Sequence, residues 1–231
     1  MEKPFALVIP AAGSGRRMGT ETPKPFLTVG KRMVLEHTVR AFLPIPGLKQ
    51  IVVVTKGGWL DLVRTWRDWV PEEVEWTVVA GGRERADSVE QGLAAVHKKL
   101  NLIAIHDAVR PFISQESVSA CLDRAAETGA AILAIPVRDT IKRVDVDRKV
   151  IVETPDRAYL WQAQTPQIFE RRILEEAYRV RDRMSGGTDD ASLVEALGQE
   201  VSIVEGEARN FKLTWPVERL LAERLLEERL K

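Results

Sequence analysis

The chain has 231 residues, 45% of them hydrophobic, which suits one α/β domain with an appendage better than two domains. No run approaches the ~18 consecutive apolar residues of a membrane helix, and no charged-then-apolar leader precedes Phe5, so neither a membrane span nor a secretory signal is expected. Lys plus Arg and Asp plus Glu number 34 each, a net charge of zero, which argues against broad nucleic-acid binding and makes any basic cluster local, with a small anion as its target. The single cysteine, Cys121, stands at an apolar helical position beside Leu122. It reads as core, and a reducing cytoplasm is the expected compartment.

Phe5 to Ile9 is a short apolar run, long enough for one buried strand of a parallel sheet. Pro10 ends the strand pairing because it has no N–H to give. The small residues Ala11, Ala12, Gly13, Ser14 and Gly15 then let a ligand approach the backbone, and Arg16 and Arg17 add positive charge that suits phosphate. The alternative is a glycine turn that only joins strand to helix. Neither a P-loop nor the dinucleotide Gly-x-Gly-x-x-Gly spacing is present: Gly19 comes one residue late, and the next strand ends in Thr55-Lys56 rather than an acid.

Lys24 follows, stiffened between Pro23 and Pro25. Helix is expected over Met33–Phe42, with His37 on its flank. Strands Ile51–Thr55, Glu75–Ala80, Leu102–Ile105 and Ala130–Ile135 then alternate with helices Leu60–Trp69, Ala86–Lys98 and Ser117–Glu127. That alternation implies a parallel sheet covered on both faces, with ligands beyond the carboxyl ends of the strands. Val137–Val144 and Val150–Thr154 read as a hairpin too polar to join the core, and unpaired arms of this kind are commonly covered by a second subunit. Trp161–Gln167 leads back to a helix over Glu170–Arg181. Thr188-Asp-Asp opens a helix through Leu197, strand Val201–Val204 follows, and a last helix, Val217–Leu230, presents Leu220, Leu221, Leu225 and Leu226 on one face.

The polar residues at the strand ends and in the later loops are Arg17, Lys24, Arg85, Asp107, Arg110, Arg157 and Lys212: many cations and one carboxylate. There is no Ser–His–Asp order, no Cys–His pair and no metal-type His/Cys spacing. Cations without a dedicated base suit a nucleophile that is already ionised. A phosphate monoester, with its second pKa near ~6, is one. Attack on the α-phosphorus of a nucleoside triphosphate would then need cations around the transition state and Mg²⁺ held partly by Asp107. Asp107 alone reads more often as a helix cap than as a metal ligand.

The series Pro10-Ala-Ala-Gly-Ser-Gly-Arg-Arg-Met18, Pro23-Lys-Pro25, Gly81-Gly-Arg-Glu-Arg-Ala-Asp-Ser-Val89, His106-Asp-Ala-Val-Arg-Pro111, Pro136-Val-Arg-Asp-Thr-Ile-Lys-Arg143, Leu160-Trp-Gln-Ala-Gln-Thr-Pro-Gln167 and Thr188-Asp-Asp-Ala-Ser192 resembles the 2-C-methyl-D-erythritol 4-phosphate cytidylyltransferases. The resemblance runs in order from residue 5 to about 220. It implies an α/β, Rossmann-like, mostly parallel sheet of the nucleotide-diphospho-sugar transferase type with a projecting β-hairpin arm. It also implies a single domain over 1–231 in which 137–157 is the dimerisation arm of a homodimer. The implied reaction joins CTP and the phosphorylated polyol and releases pyrophosphate. Arg17 and Lys24 match the family's phosphate-binding pair. Pro10, Ala11, Ala12, Gly13, Gly15, Gly82, Arg85 and Ser88 match the nucleotide pocket. Asp107, Arg110, Thr140, Thr165 and Thr188 match the groups around the sugar phosphate and metal, with Asp107 the metal ligand. Arg157 and Lys212 match the residues that position the attacking phosphate, Arg157 from the partner's arm.

Two positions depart from the family's pattern. Arg83 stands where relatives carry a small or acidic residue beside the base, and Glu218 where Asp is usual. The nearest rival, ribitol 5-phosphate cytidylyltransferase, typically shows Ala-Gly-Gly in place of Ala11-Ala-Gly13. A nucleotide-binding regulatory module without turnover is the alternative of another class. No fused downstream cyclase domain is expected.

Overall fold

Phe5–Pro10 forms β1, the strand on which both faces of the molecule meet. Its period of two sends Phe5, Leu7 and Ile9 into one core and Ala6 and Val8 into another, and all five are fully buried. The computed structural model describes residues 2–13, 22–181 and 188–228. Gly15 and Arg17, with the rest of the expected ligand loop, lie outside the described residues.

After β1 come β2 (Thr28–Val29), β3 (Arg32–Met33), α1 (Val34–Phe42), β4 (Leu48–Thr55), α2 (Trp59–Thr65), β5 (Glu75–Ala80), α3 (Arg85–Ala94) and β6 (Leu102–Ile105). The second half holds α4 (Gln115–Thr128), β7 (Ala130–Pro136), β8 (Arg143–Asp145), β9 (Val150–Glu153), β10 (Trp161–Glu170), α5 (Arg171–Val180), α6 (Asp190–Glu195), β11 (Ser202–Glu205) and α7 (Pro216–Glu228). Seven strands make the main sheet in the order β11-β7-β10-β6-β1-β4-β5. All neighbours are parallel except β10, which runs antiparallel to both β6 and β7. Helices α1, α2 and α4 cover one face, and α3, α5 and α6 the other.

Strand β10 replaces what the sequence reads as a connecting segment. Gln162, Gln164 and Gln167 break the apolar pattern, and Pro166 cannot donate to a ladder. The sheet accommodates the proline at a bulge: Ala163 pairs with Ala134 but Gln167 with Ile132, so three β10 residues face Leu133 alone. The bulge holds Gln164 and Thr165, both buried, beside the strand ends where ligands are expected.

A third, smaller core lies beneath α7. Val29, Val34, Val109, Phe112, Leu213 and Ala222 form it, with Leu225 and Leu226 packed against it. The buried stripe of α7 is therefore Ala222, Leu225 and Leu226; Leu220 and Leu221, expected on the same face, are exposed at 64% and 49%. Helix α3 also stops early, at Ala94, and the Arg171 side chain takes up the carbonyls of His97 and Leu100 beyond it. Cys121 is buried in α4, as expected.

β8 and β9 pair only with each other. The arm is less polar than its alternation suggests. Val144, Val146, Val150, Ile151 and Val152 are all exposed on it, and Tyr159 at its base is 84% exposed.

Candidate active site

Five segments converge at the carboxyl ends of β1, β5 and β6, around a cavity of about 430 Å³. They are Pro10–Gly13 after β1, Lys24–Pro25, Gly82–Arg85 with Ser88 after β5, Asp107–Val109 after β6, and Lys212–Thr214 before α7. Parallel strands leave this edge open to a ligand.

One end of the cavity is built from backbone. Ala11 N–H donates to the Val54 carbonyl and Gly81 N–H to that of Thr55, both at 2.7 Å, drawing the β1 and β5 exits together. Side chains at the glycine pair would not fit: a Cβ on Gly81 would stand 2.5 Å from the Ala12 Cβ, and one on Gly82 2.2 Å from the Asp87 Cβ. Helix α3 starts here with a reciprocal cap between Glu84 and Asp87. Ser88 is buried, its hydroxyl donating to the Glu84 carbonyl at 3.0 Å.

The other end is ionic. Asp107 Oδ2 lies 3.0 Å from Lys212 Nζ and 3.1 Å from Arg110 Nε, and Oδ1 faces Arg85 Nε at 3.9 Å. Burial alone would raise the Asp107 carboxyl, but Lys212, Arg110 and Arg85 outweigh it and hold it well below the usual carboxylate range. Arg110 is itself buried and gives Nη1 to the Asn210 carbonyl at 2.8 Å, which ties the Lys212 segment to the β6 loop. Lys24, only 8% exposed, sits in a short 3-10 turn fixed by its flanking prolines. Its Nζ donates to the Thr214 carbonyl at 2.7 Å. Trp59 stacks flat on Phe26, closing the outer side of that turn.

His106 takes no direct part in the cavity. Burial pulls its pKa down to about 4, so the ring is neutral at pH 7. The Thr165 hydroxyl accepts the Asp107 N–H at 3.0 Å and so gives its own proton to His106 Nδ1, also at 3.0 Å. The ring proton is then on Nε2, 3.0 Å from the Arg110 carbonyl. Thr165, outside the cavity lining, supports the Asp107 backbone from behind.

Of the sequence-predicted residues, Pro10, Ala11, Ala12, Gly13, Lys24, Gly82, Arg85, Ser88, Asp107 and Lys212 line the cavity. Thr140 and Arg157 do not: both are exposed at the base of the arm, where Arg157 Nη1 donates to the Arg138 carbonyl at 2.8 Å. Thr188 is exposed, and the cap of α6 is Asp189, which exchanges hydrogen bonds with Ser192. Sequence reading missed Asp190 and Tyr178. Asp190 is fully buried and binds Arg85 Nη2 at 2.6 Å and the Tyr178 hydroxyl at 2.5 Å. Its only sequence signal was its place after Asp189, which fits a first-turn helix acid just as well.

Among the described residues no group of three or more His, Cys, Asp or Glu side chains could hold a metal ion. Asp107 Oδ1, which takes no hydrogen bond among them, fits as a single protein ligand of the kind Mg²⁺ uses when substrate phosphates supply the rest.

The family model for 2-C-methyl-D-erythritol 4-phosphate cytidylyltransferase matches residues 5–228. The chain belongs to this family. A cytidylyltransferase of that name from Symbiobacterium thermophilum is 44% identical over 99% of this chain and 95% of its own. Among solved structures, 4-diphosphocytidyl-2C-methyl-D-erythritol synthase from Anaerococcus prevotii superposes with a TM-score of 0.85 at 28% identity, covering 97% of this chain and 96% of that one. The cytidylyltransferase from Thermus thermophilus gives 0.78 at 35% identity, covering 98% of this chain and 100% of that one.

Proposed function

We propose that this chain transfers the cytidylyl group of CTP to 2-C-methyl-D-erythritol 4-phosphate, giving 4-diphosphocytidyl-2-C-methyl-D-erythritol and pyrophosphate in non-mevalonate isoprenoid synthesis. The observation that carries the reading is the meeting of Lys24, Asp107 and Lys212 in one cavity that Pro10–Gly13 and Gly82 also line. An oxygen of the sugar phosphate forms the new bond to the α-phosphorus of CTP while the bond from that phosphorus to the β-phosphate oxygen breaks, and pyrophosphate leaves. The attacking phosphate is already an anion, so no side chain has to remove a proton.

Lys24 donates to the α-phosphate as its charge grows, and Lys212 brings the attacking phosphate in; Arg17 belongs with Lys24 in this role. Asp107 holds Lys212 by a short ion pair, and its Oδ1 is the side-chain oxygen that would hold Mg²⁺. When bound, the metal supplies charge neutralisation of the triphosphate. Ala11, Ala12, Gly82 and Ser88 bound a space that favours a pyrimidine through backbone contacts.

The working unit is a homodimer joined through the hairpin arm. The apolar residues exposed on β8 and β9 support it, as does the placement of Thr140 and Arg157 away from their own cavity. A second copy laying its arm across the cavity would supply both. The expected compartment is the cytoplasm; no helix among the described residues is long and apolar enough to cross a membrane.

The decisive experiment incubates the protein with each of the four nucleoside triphosphates and with methylerythritol 4-phosphate or ribitol 5-phosphate, measuring pyrophosphate release and product mass. The CDP-linked methylerythritol from CTP is the expected product. Equal use of ribitol 5-phosphate, or nucleotide binding without pyrophosphate, would overturn the proposal.

A further inference from the structure

Lys24 and Lys212 lie 188 positions apart in sequence, and the element that joins their surroundings is α7. Lys212, Leu213 and Thr214 lead directly into it. Its buried stripe packs on Val29 and Val34, just beyond the Lys24 turn, and Leu226 comes to rest beside Gly30. Between these contacts stands Glu218, one of the two departures from the family's pattern. Its Oε2 accepts the Trp215 N–H at 2.7 Å and also the Thr214 N–H.

We propose that Glu218 is a positioning residue for Lys24, acting through the Thr214–Trp215 peptide. That peptide is a rigid plane. Glu218 holds its N–H edge, and its C=O edge receives Lys24 Nζ at 2.7 Å. The preceding peptide is fixed as well, through the Thr214 N–H, so both planes flanking the Thr214 Cα are anchored to one carboxylate oxygen. The Thr214 hydroxyl adds a bond back to the Lys212 carbonyl at 3.1 Å. An N–H that donates to a carboxylate also polarises its own carbonyl, which makes Thr214 a better acceptor for the ammonium. Trp215, at the mouth of the helix, has no side-chain oxygen with which to cap it. The carboxylate therefore reaches back from the first turn, and the longer Glu side chain favours that reach. Without Glu218 the carbonyl is no longer held toward Lys24, and the ammonium loses that anchor beside the cavity.

The catalytic consequence rests on the proposed cytidylyl transfer; the seating of Lys24 does not. Glu218→Met keeps the length and helix propensity of the side chain and removes the acceptor, whereas Glu218→Gln keeps an acceptor oxygen. Two readouts are made on the full-length protein. In limited acetylation followed by peptide mass spectrometry, Lys24 should react several-fold faster in Glu218→Met than in wild type, with the exposed Lys98 and Lys149 unchanged as internal controls. In the transferase assay kcat should fall at least about tenfold with KM for CTP within about twofold, because misplacing a catalytic group costs rate more than binding. Glu218→Gln should recover most of both, and Glu218→Met should cost nothing further in a Lys24→Ala background. Lowered melting temperature with unchanged Lys24 labelling and unchanged kcat would overturn the proposal, as would a rate loss that persists undiminished in Lys24→Ala. Should wild type make no CDP-linked product, the functional reading fails while the labelling still decides where Lys24 is held.

Discussion

Arg85 reaches the cavity from the first residue of α3, but what aims it comes from α5 and α6, packed beside α3 on the same face of the sheet. Asp190 is fully buried and takes one hydrogen bond from Arg85 and one from Tyr178. Burial and the neighbouring Asp190 together push the Tyr178 hydroxyl up, so it stays a donor at any working pH. Asp190→Asn is nearly isosteric and removes only the charge and one acceptor, leaving the guanidinium facing an amide. Stranding one partner of a fully buried pair costs ~3–5 kcal/mol. Because the Arg85 side chain is 33% exposed and gains water from the cavity, about 2–3 kcal/mol is the better figure. For a chain of this length that lowers the melting temperature by about 4–12 °C. Function should move with it: KM for CTP is expected to rise about tenfold, equivalent to about 1.4 kcal/mol, with a smaller change in kcat. Tyr178→Phe separates the two effects. It removes one donor but leaves the Arg85 contact, so it should destabilise by about 1.5–3 kcal/mol with CTP affinity unchanged. Thermal unfolding and initial-rate kinetics on the two variants suffice. Wild-type KM for CTP and an unshifted melting temperature in Asp190→Asn would refute the reasoning.

Lys24→Ala should lower kcat by the equivalent of about 2.7–4 kcal/mol, the range for loss of one transition-state donor, with little change in CTP binding measured by calorimetry. Purine triphosphates should fail in a competition assay while UTP competes best; efficient use of ATP would count against the glycine-walled base site. Mixing Arg157→Ala and Lys24→Ala subunits should restore activity, because one site in each mixed dimer keeps both residues, and absence of recovery after verified exchange would place Arg157 in its own chain. The Asp107 carboxyl is held below its unfolded value, so its stabilising contribution is present above about pH 4 and is lost as pH falls further. The stability gap between wild type and Asp107→Asn should therefore narrow in denaturant titrations run from about pH 5 down to pH 3.

The parallel half of the fold was legible because its strands carry unbroken apolar runs. Ile51–Val54 and Leu102–Ile105 can only be buried on both faces, and the structure places both beside β1. Strand β10 escaped because its polar glutamines bond neighbouring segments instead of packing in the core: Gln164 donates to the Glu207 carbonyl and Gln167 to Asp189. The cavity-lining residues were readable where they follow a strand directly, as Asp107 and Gly82 do. Asp190 and Glu218 were not, since each acts through a partner more than 100 positions away or through a backbone group, and local spacing encodes neither. The face of α7 was misread for a related reason. Leu220 and Leu225 are equally apolar, and only the position of the third core decides which is covered.

The antiparallel strand at the middle of the sheet has a consequence for how the chain matures. During synthesis β5, β4, β1 and β6 can assemble among themselves, which leaves only the β10 edge of β6 open. β7 cannot. Both of its neighbours, β10 and β11, leave the ribosome after it, so Ala130–Pro136 waits with two open edges. The segment that follows immediately is crowded with Arg138, Asp139, Lys142, Arg143, Asp145, Asp147, Arg148 and Lys149. Charges flanking an exposed apolar strand discourage its pairing with other chains. The charges beside this open strand oppose its pairing with other nascent chains until β10 and β11 arrive.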